Sequence, residues 1–250
     1  MKRALIYTII FAAIQFLTGG VATLAFELLN GDSKSATGLI VSTATASIVA
    51  VIVFLAARWT VVSRHWIQTR PWFVLFWCVM GALGILVPST WLQEQMPELP
   101  NIAEEAFDTI MKDRMGYFVI GLLAPLTEEM VFRGAVLRSL LQWKQNPWVG
   151  IVISAILFAL IHMNPVQMPH AFLVGLLLGW MYYRTDSIIP GVVYHWVNNT
   201  VAYVMYNLYP DPDMTLVDLF GNQRTILMAL VFSLCIFLPA LYQLNLRLKK

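Results

Sequence analysis

The sequence predicts an all-α, polytopic transmembrane bundle of about eight helices. Three observations predict it. Hydrophobic residues make up 59% of the 250-residue chain. Charged residues make up only 12%, where soluble domains carry roughly 25%. The apolar residues also gather into runs near 4–28, 36–57, 72–92, 116–142, 148–163, 168–183, 187–209 and 225–246, and a membrane-crossing helix needs about 20 mostly apolar residues. The net charge of +2 gives no electrostatic reason for a nucleic-acid partner, so the expected environment is a lipid bilayer.

The first run follows Met1-Lys2-Arg3. It is too long for a signal-peptide core and lacks an evident cleavage site, so it reads as a retained first helix. Within it, Gln15 is expected to hydrogen-bond a neighbouring helix and Glu27 to reach the interface. Gly19-Gly20, and Gly175 with Gly179 in the sixth run, suggest close helix packing. The second and third runs flank a basic loop that carries His65. The longest polar insertion, 93–115, contains Asn101-Ile-Ala-Glu104-Glu105 before Phe107, Ile110 and Met111. That pattern predicts a short amphipathic helix on the outer surface. The fifth and sixth runs are short, and Pro165 and Pro169 between them mark a tight turn. Cys78 and Cys235 fall in apolar runs and read as buried free thiols, with no CxxC pattern. The chain is expected to form one membrane domain over 1–250: motif-free helices to 114, a core over 115–205 and a C-terminal helix over 206–250.

Charge sets the orientation. With the N-terminus cytoplasmic and sides alternating, 12 of the 16 basic residues fall inside and ten of the 14 acids outside, as the positive-inside rule requires. Both termini are then cytoplasmic, in a cell membrane. Trp59, Trp66, Trp72, Trp91, Trp143 and Trp148 stand near span ends, like an interfacial belt.

Polar groups inside three of the runs carry the functional signal, because ionisable side chains in hydrocarbon are costly. Glu128 and Glu129 are adjacent and so point about 100° apart on a helix. Glu129 and Arg133 are i,i+4, so Arg133 can neutralise Glu129. Glu128 is left on another face, able to act on water as a general base. His162 ends the fifth run four residues after Phe158, which is expected to pack beneath the imidazole. His195 and Asn199 share a face of the seventh run, and two donors aimed at one point make an oxyanion hole. Asn198 points elsewhere and braces a neighbour, and His170 reads as peripheral.

In order, Glu128-Glu129-Met-Val-Phe-Arg133, Phe158-Ala-Leu-Ile-His162 and His195-Trp-Val-Asn-Asn199 fit the motifs EExxxR, FxxxH and HxxxN. On these motifs, residues 115–205 resemble the CAAX protease and bacteriocin-processing family, also called the Abi family of intramembrane proteases. The resemblance implies a membrane endopeptidase. Glu128 would be the general base, with His162 helping to hold the water. His195 and Asn199 would stabilise the oxyanion, and Glu129, Arg133 and Phe158 would support the site. No cofactor is expected, with zinc on the glutamate and histidines as the alternative. The expected partner is a peptide or protein substrate, lipidated or not. Two competing readings use the same residues: a binding or immunity protein without turnover, and a transporter with a Glu/His proton relay. The second lacks the inverted repeat such transporters show.

Overall fold

A computed structural model describes residues 1–63, 72–143, 145–210 and 214–248, and among them every regular element is helical. Arg64, His65, Trp66, Arg70, Lys144, Asp211, Asp213, Lys249 and Lys250, which enter the expectations on charge and aromatic placement, lie outside the described residues.

The N-terminal pair is α1 (Lys2–Asn30) and α2 (Ala36–Ala56), followed by α3 (Trp72–Glu94) and the short α4 (Glu104–Lys112). A composite rod over 118–141 comes next: a π-helical segment (Phe118–Leu123), α5 (Ala124–Val131), a second π segment (Phe132–Leu137) and α6 (Arg138–Leu141). The chain continues with α7 (Pro147–Ile161), α8 (Met168–Thr185), α9 (Ile189–Leu208), α10 (Leu216–Phe220) and α11 (Gln223–Arg247). Each of the eight expected runs falls on one of these helices or on the rod. Four helices, α1, α2, α3 and α11, are long and apolar enough to cross a membrane, and α7 is a shorter apolar helix. The expected number of eight spans is not reached by that measure, because the central helices that carry the polar groups are shorter, split or more polar. The protein is a helical membrane protein.

Local chemistry sets the boundaries. α1 stops where Gly31 adopts φ +78° and its N–H bonds the Glu27 carbonyl, a conformation glycine reaches without strain. Ser35 opens α2 by accepting from Gly38 N, as N-cap serines do. Prolines occupy the first turn of α5, α7, α8 and α9, where a missing N–H costs nothing. Glu27, expected at the interface, accepts from Ser33 N at 2.7 Å and ties down the α1–α2 turn.

The rod is the axis of the bundle: all six residues of its second π segment are buried. On one side Phe132 and Phe158 pack with Phe11 of α1 and Phe54 of α2. On the other, Leu178 and Met181 of α8 join Tyr194 of α9, Cys78 of α3 and Leu244 of α11. Backbones come close where glycine allows it. A Cβ on Gly84 of α3 would stand 2.7 Å from Phe237 N of α11, and one on Gly175 of α8 would stand 3.1 Å from Ala155 of α7. α1 turns Leu17, Leu24 and Leu28 outward, as a lipid-facing helix does. Cys78 is buried but Cys235 is exposed. The expectation for Cys235 fails because α11 packs on α3 through one face and presents the other outward.

Candidate active site

Three rods meet at the motif residues. Glu128 and Glu129 lie in the last turn of α5, and Arg133 lies in the π segment that follows. Phe158 and His162 come from the C-terminal end of α7, His195 and Asn199 from the middle of α9. The expected regular helix through Glu129 and Arg133 is therefore interrupted. π segments recur at functional sites because they re-aim side chains, and the Glu129–Arg133 contact survives the change of phase.

Glu129 is the anchor. Arg133 Nη1 stands 2.9 Å from Glu129 Oε1, with both side chains almost fully buried. Removing either partner would leave an uncompensated charge, at a cost of about 3–5 kcal/mol. Arg133 Nη2 also donates to the Gly175 carbonyl at 3.3 Å, and its guanidinium carbon lies 4.4 Å from the Phe158 ring centroid, a cation–π distance. His195 Nδ1 is 3.2 Å from Glu129 Oε1. An ionised carboxylate only accepts, so Nδ1 donates. Nε2 of the same ring then faces Glu128 Oε2 at 3.7 Å. The His195 imidazole thus stands between the two glutamates.

Glu128 differs from its neighbour. Its side chain is 21% exposed, against 0% for Glu129. It opens, with His162, onto a cavity of about 220 Å³, room for several waters at about 30 Å³ each. A larger cavity of about 480 Å³ lies by Arg138, Gln142 and Tyr182 and touches none of the motif residues. His162 Nδ1 is 2.8 Å from the Phe158 carbonyl. That carbonyl can only accept, which fixes the proton on Nδ1 and leaves Nε2 as the basic nitrogen.

Phe158 does more than pack beneath one ring. It meets His162 edge-on with centroids 4.9 Å apart, meets His195 edge-on at 5.8 Å, and carries Arg133 on its face. One aromatic side chain therefore holds the spacing of all three motifs.

Asn199 Nδ2 donates to the Ile120 carbonyl at 3.0 Å. Ile120 lies in the first π segment, where Ala124 N–H bonds back to Val119. The next π-type donor for the Ile120 carbonyl would be the nitrogen of Pro125, which has no hydrogen. Asn199 supplies the missing bond and keeps a second amide hydrogen for other use.

Several participants escaped the sequence. A Cβ on Gly191 would lie 2.6 Å from Glu129 Oε2, so glycine there makes room for the carboxylate. His170, expected to be peripheral, is 3.4 Å from Asn198 Nδ2 and within electrostatic range of His162 and His195. Asn198 thereby braces His170. Among the described residues Gln15 makes no hydrogen bond to a neighbouring helix; it lines the Glu128 cavity. Spacing along one helix does not reveal such approaches between helices.

Among the described residues, no three His, Cys, Asp or Glu side chains are grouped at metal-ligand spacing.

Residues 112–201 match the model of a protein family described as type II CAAX prenyl endopeptidase Rce1-like. The motif-bearing core is similar to that family. The matched stretch contains every motif residue, so the Rce1-like assignment and the site coincide. The chain is also 26% identical over 131 residues to the UPF0177 protein YxdF of Lactococcus lactis, covering 48% of this chain and 71% of that protein. It is 29% identical over 144 residues to an uncharacterized 24.3 kDa protein of Escherichia coli, covering 53% and 62% respectively. No solved structure matches. The Rce1-like match supports a protease of the CAAX type, and the four apolar helices set it in a membrane.

Proposed function

We propose that the protein is an intramembrane endopeptidase that hydrolyses a peptide bond with water activated by Glu128. One observation carries this reading. Of two adjacent glutamates, Glu129 is locked by Arg133 and His195, while Glu128 alone opens, beside His162, onto a cavity able to hold water.

The chemistry follows from the donors. Water sits between Glu128 and the free Nε2 of His162. Glu128 takes a proton as the water oxygen bonds to the scissile carbonyl carbon, and the carbonyl oxygen becomes an oxyanion. His195 and the spare amide hydrogen of Asn199 donate to that oxyanion. With Nδ1–H given to Glu129, His195 donates from Nε2 only as an imidazolium. Collapse of the intermediate breaks the C–N bond, and the proton held on Glu128 passes to the leaving amine. Glu129, Arg133 and Phe158 hold the geometry and touch no reacting atom.

The substrate class suggested by the family is a peptide or protein carrying a prenylated cysteine. The protein sits in the cell membrane with both termini cytoplasmic. The test is cleavage of quenched fluorescent peptides, prenylated and not, by the detergent-purified protein. Cleavage by the wild type, at least 1,000-fold lower in a folded Glu128→Gln variant and indifferent to chelator, is the expected outcome. Undiminished cleavage by Glu128→Gln would sink the mechanism. Loss with chelator and recovery with Zn²⁺ would replace it with the zinc alternative.

A further inference from the structure

The cavity at Glu128 has a second wall, built from residues that lie outside the stretch matched by the family. α1 contributes Phe11, Gln15 and Phe16, and α2 contributes Thr43 and Ser47. Two of these are polar groups without partners. Among the described residues, neither the Gln15 carboxamide nor the Ser47 hydroxyl makes a hydrogen bond, although Ser47 is only 4% exposed. The contrast with their own helices is informative. Thr18 and Thr23 of α1, and Thr43 and Thr45 of α2, each donate to the carbonyl four residues back. An unpaired amide in a membrane-spanning helix costs several kcal/mol in hydrocarbon. It is tolerated where water or a bound ligand supplies the partner.

We infer that Gln15 and Ser47 form a subsite that grips the backbone of an extended peptide next to the scissile bond; this rests on the peptidase reading above. A carboxamide has the donor and acceptor of a peptide group at matching separation. Gln15 can therefore exchange two hydrogen bonds with the N–H and C=O of one extended substrate residue, as neighbouring strands do. Ser47 adds a donor one helix away. Phe11 and Phe16 flank Gln15 with apolar surface for a substrate side chain. Backbone pairing of this kind recognises an extended peptide without reading its sequence. Gln15 and Ser47 are positioning residues, since neither touches the reacting atoms.

The experiment measures binding of a fluorescein-labelled peptide carrying an S-farnesyl cysteine to the full-length Glu128→Gln protein, by fluorescence anisotropy. A set of ester analogues replaces one backbone amide at a time, which deletes the N–H and weakens the carbonyl. The added variants are Gln15→Met, near-isosteric and at home in an apolar helix, and Ser47→Ala. The expected result is about tenfold weaker binding of the parent peptide with Gln15→Met and a smaller loss with Ser47→Ala. At least one ester should cost about tenfold with Gln15 present and less than twofold with Gln15→Met. Equal ester costs in both proteins, or no binding of the peptide to Glu128→Gln, would overturn the subsite. Gln15-dependent binding of a peptide that the wild type does not cleave would keep the subsite and reject the peptidase reading.

Discussion

At the scale of single residues, the site separates two chemically identical side chains by their surroundings. Glu129 is buried against Arg133 and His195; Glu128 reaches a cavity. The two should respond differently to substitution. Glu129→Leu strands the Arg133 charge and is expected to lower stability by about 3–5 kcal/mol, while the double variant Glu129→Leu/Arg133→Met recovers most of it. Unfolding in detergent, followed by circular dichroism, checks this, and a double variant no better than the single one would deny the coupling. Gly191→Ala places a methyl 2.6 Å from Glu129 Oε2. Overpacking of that kind costs about 1–3 kcal/mol. It should also lower kcat, because the displaced carboxylate is the one that orients His195.

The rod over 118–141 shows what an element adds. A regular helix would offer neither the Ile120 carbonyl to Asn199 nor the phase at which Arg133 meets Gly175 and Phe158. In the first π segment Ala124 N–H goes to Val119 and Pro125 has no N–H to offer, which leaves the Ile120 carbonyl to Asn199. Asn199→Ala should therefore leave that carbonyl orphaned, at about 1–3 kcal/mol. Adding Pro125→Ala restores a backbone N–H in the same turn and should return part of that stability. It should not return activity, because the amide proposed to donate to the oxyanion stays absent. Equal losses of stability in the single and double variants would show that the Ile120 bond carries no weight.

For the whole molecule, the walls of the Glu128 cavity come from two parts of the chain. The matched family core supplies the motif side chains, and α1 and α2 close the cavity in front of Glu128. Orientation is testable at the same scale. In a background with Cys78 and Cys235 replaced by alanine, an impermeant maleimide should label Glu105→Cys in intact cells and Gln145→Cys only after the membrane is opened. Both positions are exposed, one in α4 and one in the turn before α7. The reverse pattern would invert the topology argued from charge.

The sequence by itself determined the helical class, the positions of the long rods, the α4 helix and the resemblance to the family, because these rest on local quantities. Apolar run length sets a span, prolines and glycines set its ends, and i,i+4 spacing puts Glu129 beside Arg133 and Phe158 beside His162. Only the tertiary structure decided what depends on contacts between rods. It showed Phe158 touching all three motifs, Gly191 making room for Glu129, His170 joining the cluster, Gln15 facing the cavity and Cys235 facing out. It also split the fourth helix into π and α turns and set Asn199 of another helix against the Ile120 carbonyl. Periodicity reports which face of a helix a residue occupies; which neighbour meets that face is settled by packing, and the chemistry of this site lies in those meetings.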